Sequence, residues 1–276
     1  MPEGVICVGK TDAASIAANR YIKDKGVVIK TNKGSSGNGV LIFREGDLPS
    51  DYRKCEKEIY SILNRNDYWD RYPIVIEDLI STNLNNGSSF PNIEFKIHKN
   101  GKIEMLYYCL MRVTKEGVFY GIDMHEDVIG ERLAARIVDT GFYIAERYAA
   151  AGYRGHFDID MIATKYDQVF VNESNTRNTG GTDVYKIALE LIGHDFMSDS
   201  YIISRSKYDI SHLKRPSFTS VRARLKPILY DKRLKEGLVI SSENIIKQKE
   251  LIYIIFGNSK RRAYQIESEL RKLLEE

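Results

Sequence analysis

Phe157-Asp158-Ile159-Asp160, followed by Val171-Asn172-Glu173-Ser174-Asn175-Thr176-Arg177-Asn178-Thr179-Gly180-Gly181-Thr182, is the stretch that decides how the rest of this chain reads. Side chains alternate faces along a strand, so Asp158 and Asp160 point one way together, and so do Glu173 and Asn175. A strand that served packing alone would carry apolar residues there. Hard oxygen ligands converging from two neighbouring strands are what Mg²⁺ bound to nucleotide phosphates requires. The pattern reads as a magnesium-phosphate centre. Gly180-Gly181-Thr182 leads straight into an expected helix, Asp183 to Ile192, whose free N–H groups offer a seat for an anion such as a carboxylate or acyl phosphate.

Working outward, the upstream half alternates helices and short apolar strands. Thr11 can cap a helix through Ala13, Ala17 and Tyr21, with Gly26 as its stop. Val27 to Lys30 and Val40 to Phe43 read as a strand and its return. Cys55, Ile59, Ile62 and Leu63 recur at helical spacing, which predicts a helix from about Ser50 to Arg65. Ile74-Val75-Ile76 is a short strand, and a polar loop runs from Ser81 to Ser89. Ile93 to His98 and Lys102 to Val113 form an expected antiparallel pair around Asn100-Gly101. Leu133, Ile137, Ile144 and Tyr148 mark a long helix ending at Gly152. The C-terminal part reads strand (Leu238 to Ile240), strand (Leu251 to Phe256) and helix (Ser259 to Leu274), and Ser206 to Gly237 shows no clear pattern.

Bulk properties narrow the class. A chain of 276 residues with 29% charged and 43% hydrophobic residues can bury a full core and holds more than one lobe. A net charge of +3 does not demand nucleic acid or a membrane. Cys7, Cys55 and Cys109 are far apart and suit a reducing compartment. The longest apolar run, Leu251 to Phe256, is too short to span a bilayer, and the N-terminus lacks a signal-peptide pattern. A cytoplasmic, soluble protein is expected.

Two further features carry chemistry. Gly34-Ser35-Ser36-Gly37-Asn38-Gly39 joins two strands, and its backbone N–H groups can form an anion-binding nest. It is neither a Walker A loop nor a dinucleotide fingerprint, because a strand follows it, and a bare hairpin tip is the competing reading. Lys30, at the end of an apolar strand, suits a phosphate contact or a solvated strand end. The five histidines lack metal-ligand spacing, although His156 adjoins the acidic strand.

Taken in order, Val28-Ile29-Lys30, Gly34 to Gly39, Val75-Ile76-Glu77-Asp78-Leu79, Ile159-Asp160-Met161 and Glu173-Ser174-Asn175 resemble the ATP-grasp ligases. The match covers roughly Pro2 to Thr182. The extended run Glu173 to Thr182 (E-x-N-x-R-x-x-G-G-T) looks most like the pheganomycin-type peptide ligases. The resemblance implies an α+β ATP-grasp fold, two lobes sandwiching ATP, with a small C-terminal βα element. Its expected domains are 1–75 (small lobe with the glycine hairpin), 76–205 (large lobe with the metal site) and 206–276 (C-terminal extension).

Residue by residue, the resemblance implies that Lys30 touches the nucleotide phosphates and that Gly34, Ser35, Ser36, Gly37 and Gly39 close over them. Ile76, Glu77, Asp78 and Leu79 would form the hinge beside adenine through backbone groups. Glu94 looks like the ribose-binding glutamate, displaced by an inserted loop from Asn83 to Ser89. Asp160, Glu173 and Asn175 would hold Mg²⁺, and Arg177 would face the transferred phosphoryl group or a substrate carboxylate. The implied reaction joins a carboxylate to an amine through an acyl phosphate, releasing ADP.

Two departures stand out. Asp158 occupies a position where many relatives have Arg; it reads as an extra ligand, or as reaching an amine substrate or a base such as Arg154. Only 29 residues precede Lys30, whereas relatives carry a substrate lobe there. A piece of a longer protein, a split ligase with a partner chain, and a minimal form all fit this, and a homodimer is a further expected assembly. The competing functions are a nucleotide-binding lobe without its own catalysis and a small-molecule kinase. A nucleic-acid partner would rest only on Lys214 to Lys235, with eight Lys/Arg against Asp231, and a solvated face accounts for that stretch better.

Overall fold

The computed structural model describes residues 1–35, 38–71, 73–82, 89–114 and 117–275. They divide into two compact units, Met1–Thr82 with Val113–Phe119, and Asn83–Arg112 with Tyr120–Glu276. In the first, strands β1 (Gly4–Cys7), β2 (Gly26–Ser35), β3 (Asn38–Arg44) and β4 (Ile74–Asp78) form an antiparallel sheet in the order β1-β4-β2-β3. Helices α1 (Lys10–Asp24) and α2 (Tyr52–Asn64) share one apolar core with it. Ala13, Ala14, Ala17 and Ala18 line the buried stripe of α1, and Cys55, Ile59 and Leu63 that of α2. Asp51 caps α2 by accepting from the Lys54 N–H at 3.0 Å. Gly9, without a side-chain cap, precedes α1, and Lys25 in the left-handed region closes it, so Gly26 opens β2 rather than stopping the helix.

The second unit is built on an eight-stranded sheet, β5 (Pro91–Ile97), β6 (Ile103–Val113), β7 (Phe119–Met124), β8 (Gly155–Ala163), β9 (Val169–Asn175), β10 (Tyr201–Asp209), β11 (Gly237–Ser242) and β12 (Glu250–Gly257). Their order is β11-β12-β10-β7-β6-β5-β8-β9. Helices α3 (Glu131–Ala150), α4 (Gly180–Leu191), α5 (Phe196–Asp199), α6 (Phe218–Leu225) and α7 (Lys260–Glu275) complete it. Strand alternation divides the residues of β5 and β8. Ile93, Phe95, Ile97, Phe157, Ile159 and Met161 enter an apolar core with Leu133 and Ile137 of α3 and Ile266 and Leu270 of α7. Their alternating neighbours Asn92, Glu94, Asp158 and Asp160 occupy the opposite face.

The expected division at 75/76 falls inside β4, which is sheet-paired on both sides. Nor do residues 206–276 form a separate element. β12 pairs with β10 and β11 with β12, so the C-terminal strands extend the large sheet. β1, β7 and β10 lay outside the sequence reading. β1 has four residues, and β7 and β10 interleave polar residues such as Asp123, whose Oδ2 accepts from Tyr201 and Tyr264, and Ser204, whose Oγ accepts from the Ile122 N–H. On the apolar face, Arg112 of β6 makes a bidentate pair with Glu267 of α7, at 2.7 and 2.9 Å, and the Tyr253 hydroxyl donates to the same carboxylate at 2.9 Å. Among the described residues, no helix is long and apolar enough to cross a membrane.

Candidate active site

The polar face of the large sheet is laid out by strand register. Asn92, Asp160 and Glu173 are cross-strand partners on β5, β8 and β9, and so are Glu94, Asp158 and Asn175. Directly opposed side chains stand about 5 Å apart at Cβ, so Asp160 and Glu173 are immediate neighbours and Asn175 is diagonal to Asp160. The Asn92 amide donates to Asp160 Oδ1 at 2.6 Å, and the Asn175 amide to Asp160 Oδ2 at 3.2 Å. Arg177 in turn donates to Asn175 Oδ1 at 3.1 Å. The three residues expected to hold a metal are thus brought together, with Arg177 beside them.

The electrostatics of this row are one-sided. Burial, and then the negative charge of Asp158, push the Asp160 carboxyl up to about 8, with Glu173 adding to the rise and the two amides opposing it. Burial likewise raises Asp158, and Asp158 Oδ1 is buried without a hydrogen-bond partner among the described residues. Arg154 does not supply the missing charge, because its guanidinium donates to the carbonyls of Lys99, Ala149 and Tyr153. Among the described residues, no three His, Cys, Asp or Glu side chains converge as a ready-made metal cage. Two carboxylates and an amide, with excess buried negative charge, do fit a Mg²⁺ ion that keeps waters and phosphate oxygens in its shell.

Glu94 is placed differently from its expected role at a ribose. Its side chain is 0% exposed and its oxygens are already engaged. The Tyr107 hydroxyl donates to Oε2 at 2.5 Å, Thr182 Oγ1 donates at 2.7 and 2.9 Å, and Thr179 Oγ1 at 3.3 Å. His156 Nδ1 lies 3.1 Å from Oε1. Glu94 therefore fastens the first turn of α4 to the sheet. Only the second of the paired glycines is sterically required. A Cβ on Gly181 would strike the Tyr107 hydroxyl, whereas one on Gly180 would meet nothing within 4 Å. Gly181→Ala should accordingly cost about 1–3 kcal/mol in urea unfolding through overpacking, and Gly180→Ala should stay within about 0.5 kcal/mol of the native sequence.

In the smaller unit, Lys30 Nζ lies 2.7 Å from Glu77 Oε2, and both side chains are largely buried. Asp78 pairs with Arg20. The expected adenine hinge needs unclaimed backbone groups from Ile76 to Leu79, but β4 is an interior strand. Ile76 and Glu77 pair with β1 and β2, and the Asp78 N–H donates to the Glu3 carbonyl at 3.0 Å. Sheet pairing leaves only Leu79 beyond the strand. Gly34, Ser35 and Gly39 belong to the β2–β3 hairpin, in which Ser35 pairs with Asn38. Gly39 has φ +84°, and a Cβ there would press on Tyr68. Ser36 and Gly37, and the loop residues Asn83 to Ser88, lie outside the described residues.

Asn92, Tyr107 and Thr179 complete the polar face without having been singled out, together with His156, noted only for adjoining the acidic strand, and Thr182, noted only for opening the helix. Asn92 was within reach of the sequence, since it lies two residues before Glu94 and so on the same face. The others depend on which strands become neighbours.

No family model matches the chain, and no curated protein matches it. Solved structures do. Biotin carboxylase from Campylobacter jejuni, in complex with an ATP analogue, superposes with a TM-score of 0.66 at 11% identity over 96% of this chain. N5-carboxyaminoimidazole synthase from Aspergillus clavatus, in complex with ADP and 5-aminoimidazole ribonucleotide, gives 0.66 at 11% over 100%. The chain has the ATP-grasp fold. The biotin carboxylase domain of Hydrogenobacter thermophilus 2-oxoglutarate carboxylase, in complex with MgADP, ADP and bicarbonate, shares this ATP-grasp architecture at a TM-score of 0.62, 12% identity and 94% coverage. This chain spans 61%, 68% and 58% of those three chains.

Proposed function

We propose that this chain binds ATP and Mg²⁺ and joins a carboxylate to an amine, releasing ADP and phosphate. The observation that carries the reading is the row Asp160–Glu173–Asn175, in which the buried Asp158 beside Asp160 adds negative charge on an ATP-grasp sheet, while Glu173 is exposed. Asp160, Glu173 and Asn175 would hold Mg²⁺, which when bound offsets charge on the nucleotide phosphates. Arg177, two residues beyond Asn175, would stabilise charge on the phosphoryl group as it passes to the carboxylate. Lys30 and the hairpin residues Gly34, Ser35 and Gly39 are proposed phosphate contacts. The amine then attacks the acyl phosphate. The run Glu173 to Thr182 supports a peptide-type ligase, in which carboxylate and amine are both amino-acid or peptide groups. Cytoplasmic location and a homodimer belong to the same proposal.

The test is ADP and phosphate release from ATP and Mg²⁺ with panels of free amino acids and dipeptides, with products identified by mass spectrometry. Release that needs both a carboxylate and an amine is expected. Glu173→Gln should lower it by at least about 10²-fold, the scale of losing a preorganised electrostatic group. Equal release by that variant would remove the metal assignment. A second reading, a nucleotide-binding lobe that works within a larger assembly, draws on the 61% span against biotin carboxylase. Tight Mg²⁺-dependent ADP binding without turnover on any panel would favour it.

A further inference from the structure

We infer that His156 is the general base that deprotonates the incoming amine, a role that rests on the ligase reading above. His156 occupies β8 two residues before Asp158 and four before Asp160, so all three side chains share the polar face. Its Nδ1 lies 3.1 Å from Glu94 Oε1. Glu94 is fully buried and clamped by Tyr107, Thr179 and Thr182, so its carboxylate is fixed and can accept the Nδ1 proton. A backbone contact also restrains the residue, since the Tyr153 hydroxyl donates to the His156 carbonyl at 2.5 Å.

The other ring nitrogen, Nε2, makes no hydrogen bond among the described residues, and the side chain keeps 20% of its surface exposed. A buried carboxylate that accepts from one imidazole nitrogen fixes the ring and leaves the other nitrogen available as an acceptor. The charged and titratable groups around the ring are Glu94 and Lys96 on β5, the latter the cross-strand partner of His156, Tyr107 on β6 behind Glu94, and Asp158 on β8. Four residues of strand put His156 about 13 Å along from Asp160, room for a phosphoryl group and an acyl carbon between them.

The step balances. The ammonium substrate gives one proton to Nε2, and the freed nitrogen lone pair attacks the acyl carbon. A C–N bond forms, the C–O bond to phosphate breaks, and phosphate leaves with that electron pair and takes the second nitrogen proton, departing as HPO4²⁻ while the amide keeps one N–H. The imidazolium then returns its proton to solvent.

Two measurements on the full chain test this. In ¹⁵N-imidazole NMR at pH 8, with the resonance assigned by its loss in His156→Gln, the proton should reside on Nδ1 and Nε2 should be bare. A proton on Nε2 would overturn the assignment. The second measurement compares alkyl amines with hydroxylamine, a far weaker base that is unprotonated at pH 8 and needs no proton acceptor. His156→Gln should lower alkyl-amine-dependent ADP release by about 10²-fold or more. It should keep hydroxylamine-dependent release within a few-fold and lose the acid limb of the pH–rate profile. Equal losses with both nucleophiles would make His156 structural. If the wild type releases no ADP with carboxylate and hydroxylamine, the ligase reading fails, while the NMR result still decides the tautomer.

Discussion

Asp160→Asn should abolish the response of this protein to Mg²⁺ and, in EDTA at pH 8, make it more stable than the native sequence. The sign follows from where the proton sits. An unfolded aspartate ionises near pH 4, whereas burial and the neighbouring Asp158 hold Asp160 up at about 8 in the folded chain. Between those values the native state binds one proton more than the unfolded state, so stability falls as pH rises through the window and levels off above it. At about 1.4 kcal/mol per unit, the loss is a few kcal/mol, more than the roughly 1 kcal/mol carried by either amide hydrogen bond to Asp160. Asp158, shifted the same way by burial, steepens the slope.

The experiment is urea or thermal unfolding in EDTA from pH 4 to 9, repeated with millimolar Mg²⁺. Native protein should lose stability towards pH 8 and recover it with Mg²⁺, with a larger recovery at pH 8 than at pH 5 because the ion binds the ionised form. Asp160→Asn should flatten both responses and also end ADP release. A native chain whose stability is level across this window would show that Asp160 carries no such burden.

The second large effect lies on the other face of the sheet. Glu267→Ala should destabilise the chain by about 3–5 kcal/mol, because it leaves the buried Arg112 guanidinium with only its longer pair to Asp123, at 3.6 Å. Arg112 and Glu267 form the bidentate pair between β6 and α7, and the Glu267 side chain is 2% exposed. Burial alone would raise the Glu267 carboxyl. Hydrogen bonds and charge from Arg112, then Tyr253 and Arg271, outweigh it and hold the carboxyl below the ordinary range. This contribution is present above the unfolded pKa and fades as pH falls through the folded one, opposite in direction to Asp160. The double change Arg112→Met/Glu267→Leu should recover much of the loss, since apolar replacement of a buried pair is often neutral. Chemical denaturation of the three variants measures this, and a loss below 1 kcal/mol for Glu267→Ala would show that α7 does not depend on the pair.

How far the sequence reached follows from which interactions are local. The α2 reading worked because Cys55, Ile59 and Leu63 repeat at helical spacing and Asp51 caps the first turn. The β5–β6 hairpin was legible because Asn100-Gly101 sits between two alternating runs. β10 was not, since Tyr201–Asp209 hides Ser204 and Arg205 among aliphatics and gains its strand character by pairing with β12 and β7. The pairing of β4 escaped for a related reason: β1, too short to be seen in the sequence, takes up backbone groups of β4.

For the site, alternation along two strands was enough to put Asp158 with Asp160 and Glu173 with Asn175, because a period of two is a property of one strand by itself. That much the amino-acid order determined alone, together with the ATP-grasp sequence of motifs. Only the tertiary structure set Asp160 opposite Glu173, sank Glu94 under Tyr107 and Thr182, and brought His156 against it. Register between strands, and the burial that shifts a carboxyl by several pH units, depend on residues from 13 to 88 positions apart.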